Sequence, residues 1–138
     1  MKVRAKATYG KDLSKEALKN LYHPDNNFQL NIGDSYSVYG INIQSQIVHY
    51  LTFDKWGNSP FWNPAELFDI VDSRLPPNWY FMFYGNGERD IETVSAVWGY
   101  KEIALSRIHY RELILREGKA MDIFRERKKE IDQFHDLE

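Results

Sequence analysis

The sequence predicts an α+β fold: a short N-terminal helix, a strongly bent antiparallel sheet or barrel of five to six strands, and two C-terminal helices. Three observations predict it. Between Tyr36 and Val71 short apolar or alternating runs are separated by turn residues. From Trp79 to Tyr84 the chain is almost wholly aromatic. Beyond Ser106 the apolar residues recur near a 3.6-residue period.

Residues 2–8 alternate weakly and read as an edge strand. Asp12 or Ser14 can cap a helix over 13–22, with Glu16 near its positive end and Leu13, Ala17, Leu18 and Leu21 at helical spacing. His23-Pro24-Asp25-Asn26-Asn27 ends it, because proline and Asx residues favour turns. Gly33-Asp34 is a turn. Tyr36, Val38 and Gly40 then alternate with Ser35, Ser37 and Tyr39 as a half-buried strand. The polar stretch Asn42 to Gln46 reverses the chain, and Ile47 to Phe53, β-branched and aromatic, returns. A second turn, Asp54 to Pro60, holds Trp56. Pro64 to Leu67 suits one helical turn with proline at its start, before a strand from Phe68 to Val71.

Leu75-Pro76-Pro77-Asn78 is a rigid corner. The aromatic run Trp79–Tyr84 predicts a strand covered on both faces. Gly85-Asn86-Gly87 supplies a tight reversal, and Ile91–Trp98 returns. Helices are expected over Arg107–Arg116, capped by Ser106, and over 118–134, with Ala120, Met121, Phe124, Ile131 and Phe134 on one face. The opposite face carries Arg125, Arg127, Lys128, Lys129 and Glu130. No linker or repeat divides the chain. It reads as one domain over 1–138, with a sheet core at about 28–98 and a helical part at about 104–135.

Composition excludes several classes. With 43% hydrophobic and 15% aromatic residues the chain is too apolar to remain disordered. A net charge of -2 gives no general attraction to nucleic acid or anionic lipid. With no cysteine there is no disulfide framework, thiolate metal site or thiol nucleophile, which favours a cytoplasmic location. The N-terminus has no apolar run behind its charges, and no window approaches the ~18 apolar residues of a membrane span.

Catalytic patterns are missing. His23, His49, His109 and His135 form no metal-spaced pair, and no cofactor is implied. His49 reads as an interior strand residue, and His23 with Asp25 as a turn. Gly85-x-Gly87 precedes Glu88 and Asp90 and then a strand, which suits a hairpin and not a phosphate loop. The pairs Asp69–Asp72 and Glu88–Asp90 read as surface acids, and the basic run on the last helix as a solvated face. The suggestive cluster is aromatic. Trp56, Phe61 and Trp62 surround a turn with Asp54, Glu66, Asp69 and Asp72 nearby in sequence. Tryptophans anchor interfaces, and an acidic rim speeds the approach of a basic partner. Whether Trp56 and Trp62 face solvent or close the core is left open by the residues themselves.

Two resemblances follow. Leu30-x-x-Gly33-Asp34-x-Tyr36-x-Val38, followed by Trp62-x-Pro64-Ala65-x-Leu67, resembles an SH3-like barrel over about a third of the chain. The acidic loop and paired tyrosines of a proline-peptide groove are not clearly matched, so that ligand is not implied. More loosely, the small, cysteine-free, mildly acidic, aromatic-rich chain is similar to immunity proteins of bacterial polymorphic-toxin and contact-dependent growth inhibition systems. That resemblance implies a non-enzymatic inhibitor that binds one cognate toxin domain and covers its active site. Trp56 and Trp62 would then anchor, and Asp54, Glu66, Asp69 and Asp72 would face a cationic site. The alternatives are an SH3-like nucleic-acid-associated or regulatory module, and a small hydrolase.

Overall fold

The structure, a computed structural model, describes residues 1–85 and 93–136. The strands are β1 (Lys2–Ala5), β2 (Ser35–Ser37), β3 (Gly40–Gln44), β4 (Ile47–Asp54), β5 (Ser59–Pro64), β6 (Phe68–Asp72), β7 (Tyr80–Phe83) and β8 (Val94–Gly99). The α-helices are α1 (Lys15–Asn20), α2 (Lys101–Leu105), α3 (Arg107–Ile114) and α4 (Gly118–Asp136). The α+β class stands, but the sheet is not one bent sheet of five to six strands. The described strands form two open antiparallel sheets, β2-β1-β6 and β5-β4-β3-β8-β7, and no closed barrel.

The division into two sheets arises at Val38–Tyr39. The single strand expected from Tyr36 to Gly40 is broken there. Ser35–Ser37 pairs with β1, whereas Gly40 onward pairs with β4 and β8. Val38 and Tyr39 are both buried and point into different cores. The second link between the sheets is the 3-10 turn Ala65–Leu67, where the sequence predicts a helical turn after Pro64. β1, read as an edge strand, lies in the middle of its sheet, because β2 and β6 both return to it.

β3 runs further than expected. Asn42 and Gln44 are strand residues, and the reversal is confined to Ser45–Gln46, both at positive φ. Asn42 is tolerated inside because its polar atoms are satisfied. Its Oδ1 meets His49 Nδ1 at 2.9 Å, and its Nδ2 donates to Tyr110 Oη at 2.8 Å.

β4 separates two apolar clusters. Leu51 faces Val97, Ile103, Leu113 and Phe124, under the C-terminal helices. Its neighbour Tyr50 joins Val3, Val38, Leu67 and Phe68 between the sheets. Strand alternation sends the two side chains to opposite faces.

The N-terminal helix is shorter than 13–22. α1 covers six residues, capped by Ser14 Oγ, which accepts from Ala17 N–H at 3.2 Å. The C-terminal part has three helices among the described residues, not two. Tyr100 starts the extra helix α2 directly after β8, and Ser106 ends it and caps α3. Arg127 fastens α2 to α4 by donating to both oxygens of Glu102, at 2.9 and 3.1 Å.

Trp79–Tyr84 does not form a strand covered on both faces. β7 is a sheet edge, with Tyr80, Phe81 and Phe83 exposed. The reversal expected at Gly85–Gly87, the start of the strand expected from Ile91, and the Glu88–Asp90 pair fall wholly or partly outside the described residues. No helix of the described residues is long and apolar enough to cross a membrane.

Candidate functional site

The β4–β5 hairpin separates the two tryptophans. Trp56 sits at its tip and is 90% exposed. The tip is braced from within. Asp54 Oδ1 accepts the Trp56 backbone N–H at 3.0 Å, an Asx turn that aims the loop. Gly57 lets the same carboxylate fold over the turn, since a Cβ there would meet Asp54 Oδ2 at 2.7 Å. Asn58 follows at φ 51°, and Ser59 Oγ donates to the Gly57 carbonyl at 3.0 Å.

Trp62 lies on β5 and packs inward. Its ring stacks on Tyr110 with centroids 5.5 Å apart. It also closes against Gly40, where a Cβ would meet the ring at 3.2 Å. Trp62 is half-buried and also borders the surface. There it joins Phe28, Leu30, Tyr36, Phe53 and Phe61 around a groove of about 300 Å³. Asp54 stands on the rim of this groove and also of a neighbouring cleft of about 340 Å³ lined by Asp34, Tyr36 and Trp56. Asp54, Trp56 and Trp62 therefore belong to one continuous surface. Its floor is aromatic, and its charged groups are Asp34, Asp54 and Lys55.

The other three predicted acids are not on it. Glu66 turns inward, accepting the Ser14 backbone N–H at 2.7 Å and the Ser14 hydroxyl at 3.1 Å, so it braces the start of α1. Asp69 pairs with Lys6 across the sheet at 3.2 Å. Asp72 is gripped by Arg74, whose side-chain and backbone N–H groups hold its carboxyl down to about 2. The structure places these three apart from the groove, because nearness in sequence after Pro64 is not nearness in space. The Ala65–Leu67 turn carries the chain into the other sheet. Phe28, Leu30, Asp34, Tyr36 and Phe53 also line this surface and were not among the sequence candidates; for all but Phe53, which is in β4 itself, nothing in the chain up to β2 signals that it lies beside the β4–β5 hairpin.

A larger cleft, about 480 Å³, lies on the other side of Phe53, which lines both. Lys2, Lys55 and Lys128 reach it, together with Tyr39 and Asp132. Lys128 is held by Asp132 at 2.8 Å and lies 4.9 Å from the Phe53 ring centre. The Tyr39 hydroxyl donates to the same carboxylate at 2.7 Å, and burial raises its pKa well above the usual phenol value.

Three histidines serve the interior. His49 links Asn42 to the Tyr22 hydroxyl, 2.8 Å from its Nε2, and burial lowers its pKa to about 4. His109 Nε2 meets the Tyr100 hydroxyl at 2.7 Å, and His135 Nδ1 meets Ser37 Oγ at 3.3 Å; burial lowers both pKa values. His23 is exposed in its turn beside Asp25. Among the described residues no group of three or more His, Asp or Glu is placed to hold a metal ion.

Comparison with protein-family models, with curated proteins and with solved structures returns no match for this chain.

Proposed function

We propose that the protein is a binding inhibitor without a catalytic step, an immunity protein that covers the active site of a cognate bacterial toxin domain in the cytoplasm. The observation that carries this reading is Trp56. Exposing a whole indole to water is unfavourable, and here a rigid turn holds it there beside an aromatic groove. Asp34 and Asp54, against the single cation Lys55, leave the surface a net negative charge that suits a cationic active site. The partner surface is thus Asp54, Trp56 and the exposed part of Trp62, with Glu66, Asp69 and Asp72 left out of it.

An SH3-like barrel is part of the same proposal. The orders β2-β1-β6 and β5-β4-β3, joined through one strand break and one 3-10 turn, support it, while β8, β7 and the helices extend beyond such a unit. The test is co-expression with the toxin domain encoded directly upstream of the gene. The expected outcome is growth restored by the wild-type chain and lost with Trp56→Ala. Growth arrest despite the wild-type chain would refute the reading.

The lysine-lined cleft favours a second reading, an SH3-like module for nucleic acid. Lys2, Lys55 and Lys128 line it beside the partly exposed ring of Phe53, with Asp132 and Asp136 among them. It expects heparin retention that falls steeply with salt. Elution in the first low-salt wash would remove it.

A further inference from the structure

Among the described residues four strands border the two sheets, and three of them are guarded against pairing with another chain. β5 contains Pro60 and Pro64, which have no N–H to donate. β6 exposes Ile70 and Val71 but interleaves them with Asp69 and Asp72. β2 is three residues long and has two serines. Such devices are how natural sheets keep their edges from joining. β7 is also short, at four residues, but contains no proline, charge or serine. Its residues are Tyr80, Phe81, Met82 and Phe83, and the run from Leu75 to Tyr84 has no charge at all. Tyr80 is 44%, Phe81 51% and Phe83 59% exposed.

The direction of the open hydrogen bonds follows from the pairing with β8. Tyr84 N–H donates to the Ser95 carbonyl at 2.7 Å, and Met82 and Tyr80 fall at the equivalent positions opposite Val97 and Gly99. Hydrogen-bonded and non-bonded pairs alternate along an antiparallel ladder. The N–H and C=O groups of Phe81 and Phe83 therefore point away from β8, to the open side.

We infer that β7 is a self-association edge, at which two copies of this chain pair antiparallel about a two-fold axis through Met82. Only a second copy satisfies the register this simply. A two-fold at Met82 sets Phe81 opposite Phe83 of the second copy, and Phe83 opposite its Phe81, so the outward N–H and C=O groups meet on both sides of the axis. The same register stacks aromatic rings as cross-strand pairs on one face. An uncharged strand also meets its own copy without repulsion. The result is one continuous sheet of ten strands, twice the five of each chain. The three exposed rings, each about half of the roughly 200 Å² a buried aromatic covers, supply on the order of 600 Å² over both copies. With the paired backbone added, the contact belongs to the weak, reversible class below about 1,200 Å².

Sedimentation of the full chain tests it. The mean mass should rise reversibly with concentration from 16.4 kDa toward twice that value. Phe83→Lys should weaken association at least about tenfold by placing a charge at each paired position. Trp56→Ala, in the separate hairpin, should leave it unchanged. Hydrogen exchange on the wild-type chain gives a readout that needs no variant: the Phe81 and Phe83 amides should slow as concentration rises. A mass of 16.4 kDa at about 1 mM chain, where even a millimolar contact is well populated, overturns the proposal and leaves the edge to another protein's strand or to none. So does a Phe83→Lys chain that associates as the wild type does.

Discussion

The tip of the β4–β5 hairpin and the corner after β5 look alike in sequence, each a tryptophan near proline, glycine or acidic residues. In space they are opposites. At the tip, Asp54 turns back to hold the loop, and Trp56 projects because no element packs over a hairpin end. At the corner, α3 lies over β5, so Trp62 stacks on Tyr110, and Glu66 is drawn in to brace α1. The same residue types bind outward or inward according to what the rest of the chain lays on them. Exposed aromatics are thus found at a hairpin end, and packed ones under a helix.

Substitutions can break that comparison, the largest effect coming first. Trp62→Ala should cost roughly 3 kcal/mol of stability, read as a lower urea midpoint, because it opens a cavity between Gly40 and Tyr110. A loss below about 0.5 kcal/mol would mean that Trp62 is a surface anchor after all.

Acid should act on a similar scale, away from the tip. His49 has a folded pKa of about 4 against an unfolded value of 6.5, so folding favours its neutral form. Its contribution is whole above pH 6.5 and is lost as the pH falls toward 4, on the order of 3 kcal/mol by pH 4. His109 and His135 shift in the same direction. The urea midpoint should drop between pH 7 and pH 4.5. In His49→Gln that part of the drop should disappear.

Glu66→Ala should cost about 1 kcal/mol, the usual effect of losing a carboxylate that satisfies a helix start. It should not change partner affinity. Smallest of all, Trp56→Ala should alter stability by less than about 0.5 kcal/mol, since the ring contributes little to the fold.

Local chemistry made much of the fold legible. The Ser14 and Ser106 caps, the Gly33-Asp34 turn, the helical turn after Pro64 and the apolar stripe of α4 all follow from short-range rules, and all are present. What was not legible depends on distant partners. Val38–Tyr39 alternates like any strand residue, and nothing nearby marks it as the point where the chain changes sheet. Asn42 looks like a turn residue until His49 and Tyr110 are beside it. The run Trp79–Tyr84 has the composition of an interior strand, yet no further strand pairs with it among the described residues. In the candidate site, Asp54, Trp56 and Trp62 came together because they share one hairpin. Phe28 and Tyr36 come from far along the chain, and Glu66, Asp69 and Asp72 were separated by a single 3-10 turn.

The decisive measurement is calorimetric titration of Trp56→Ala against the toxin domain proposed as its partner, beside the wild-type chain and Glu66→Ala. Trp56→Ala should weaken binding by at least about 30-fold, equivalent to roughly 2 kcal/mol, while Glu66→Ala binds as the wild type does. Wild-type affinity in Trp56→Ala, with the loss appearing in Glu66→Ala instead, would contradict it.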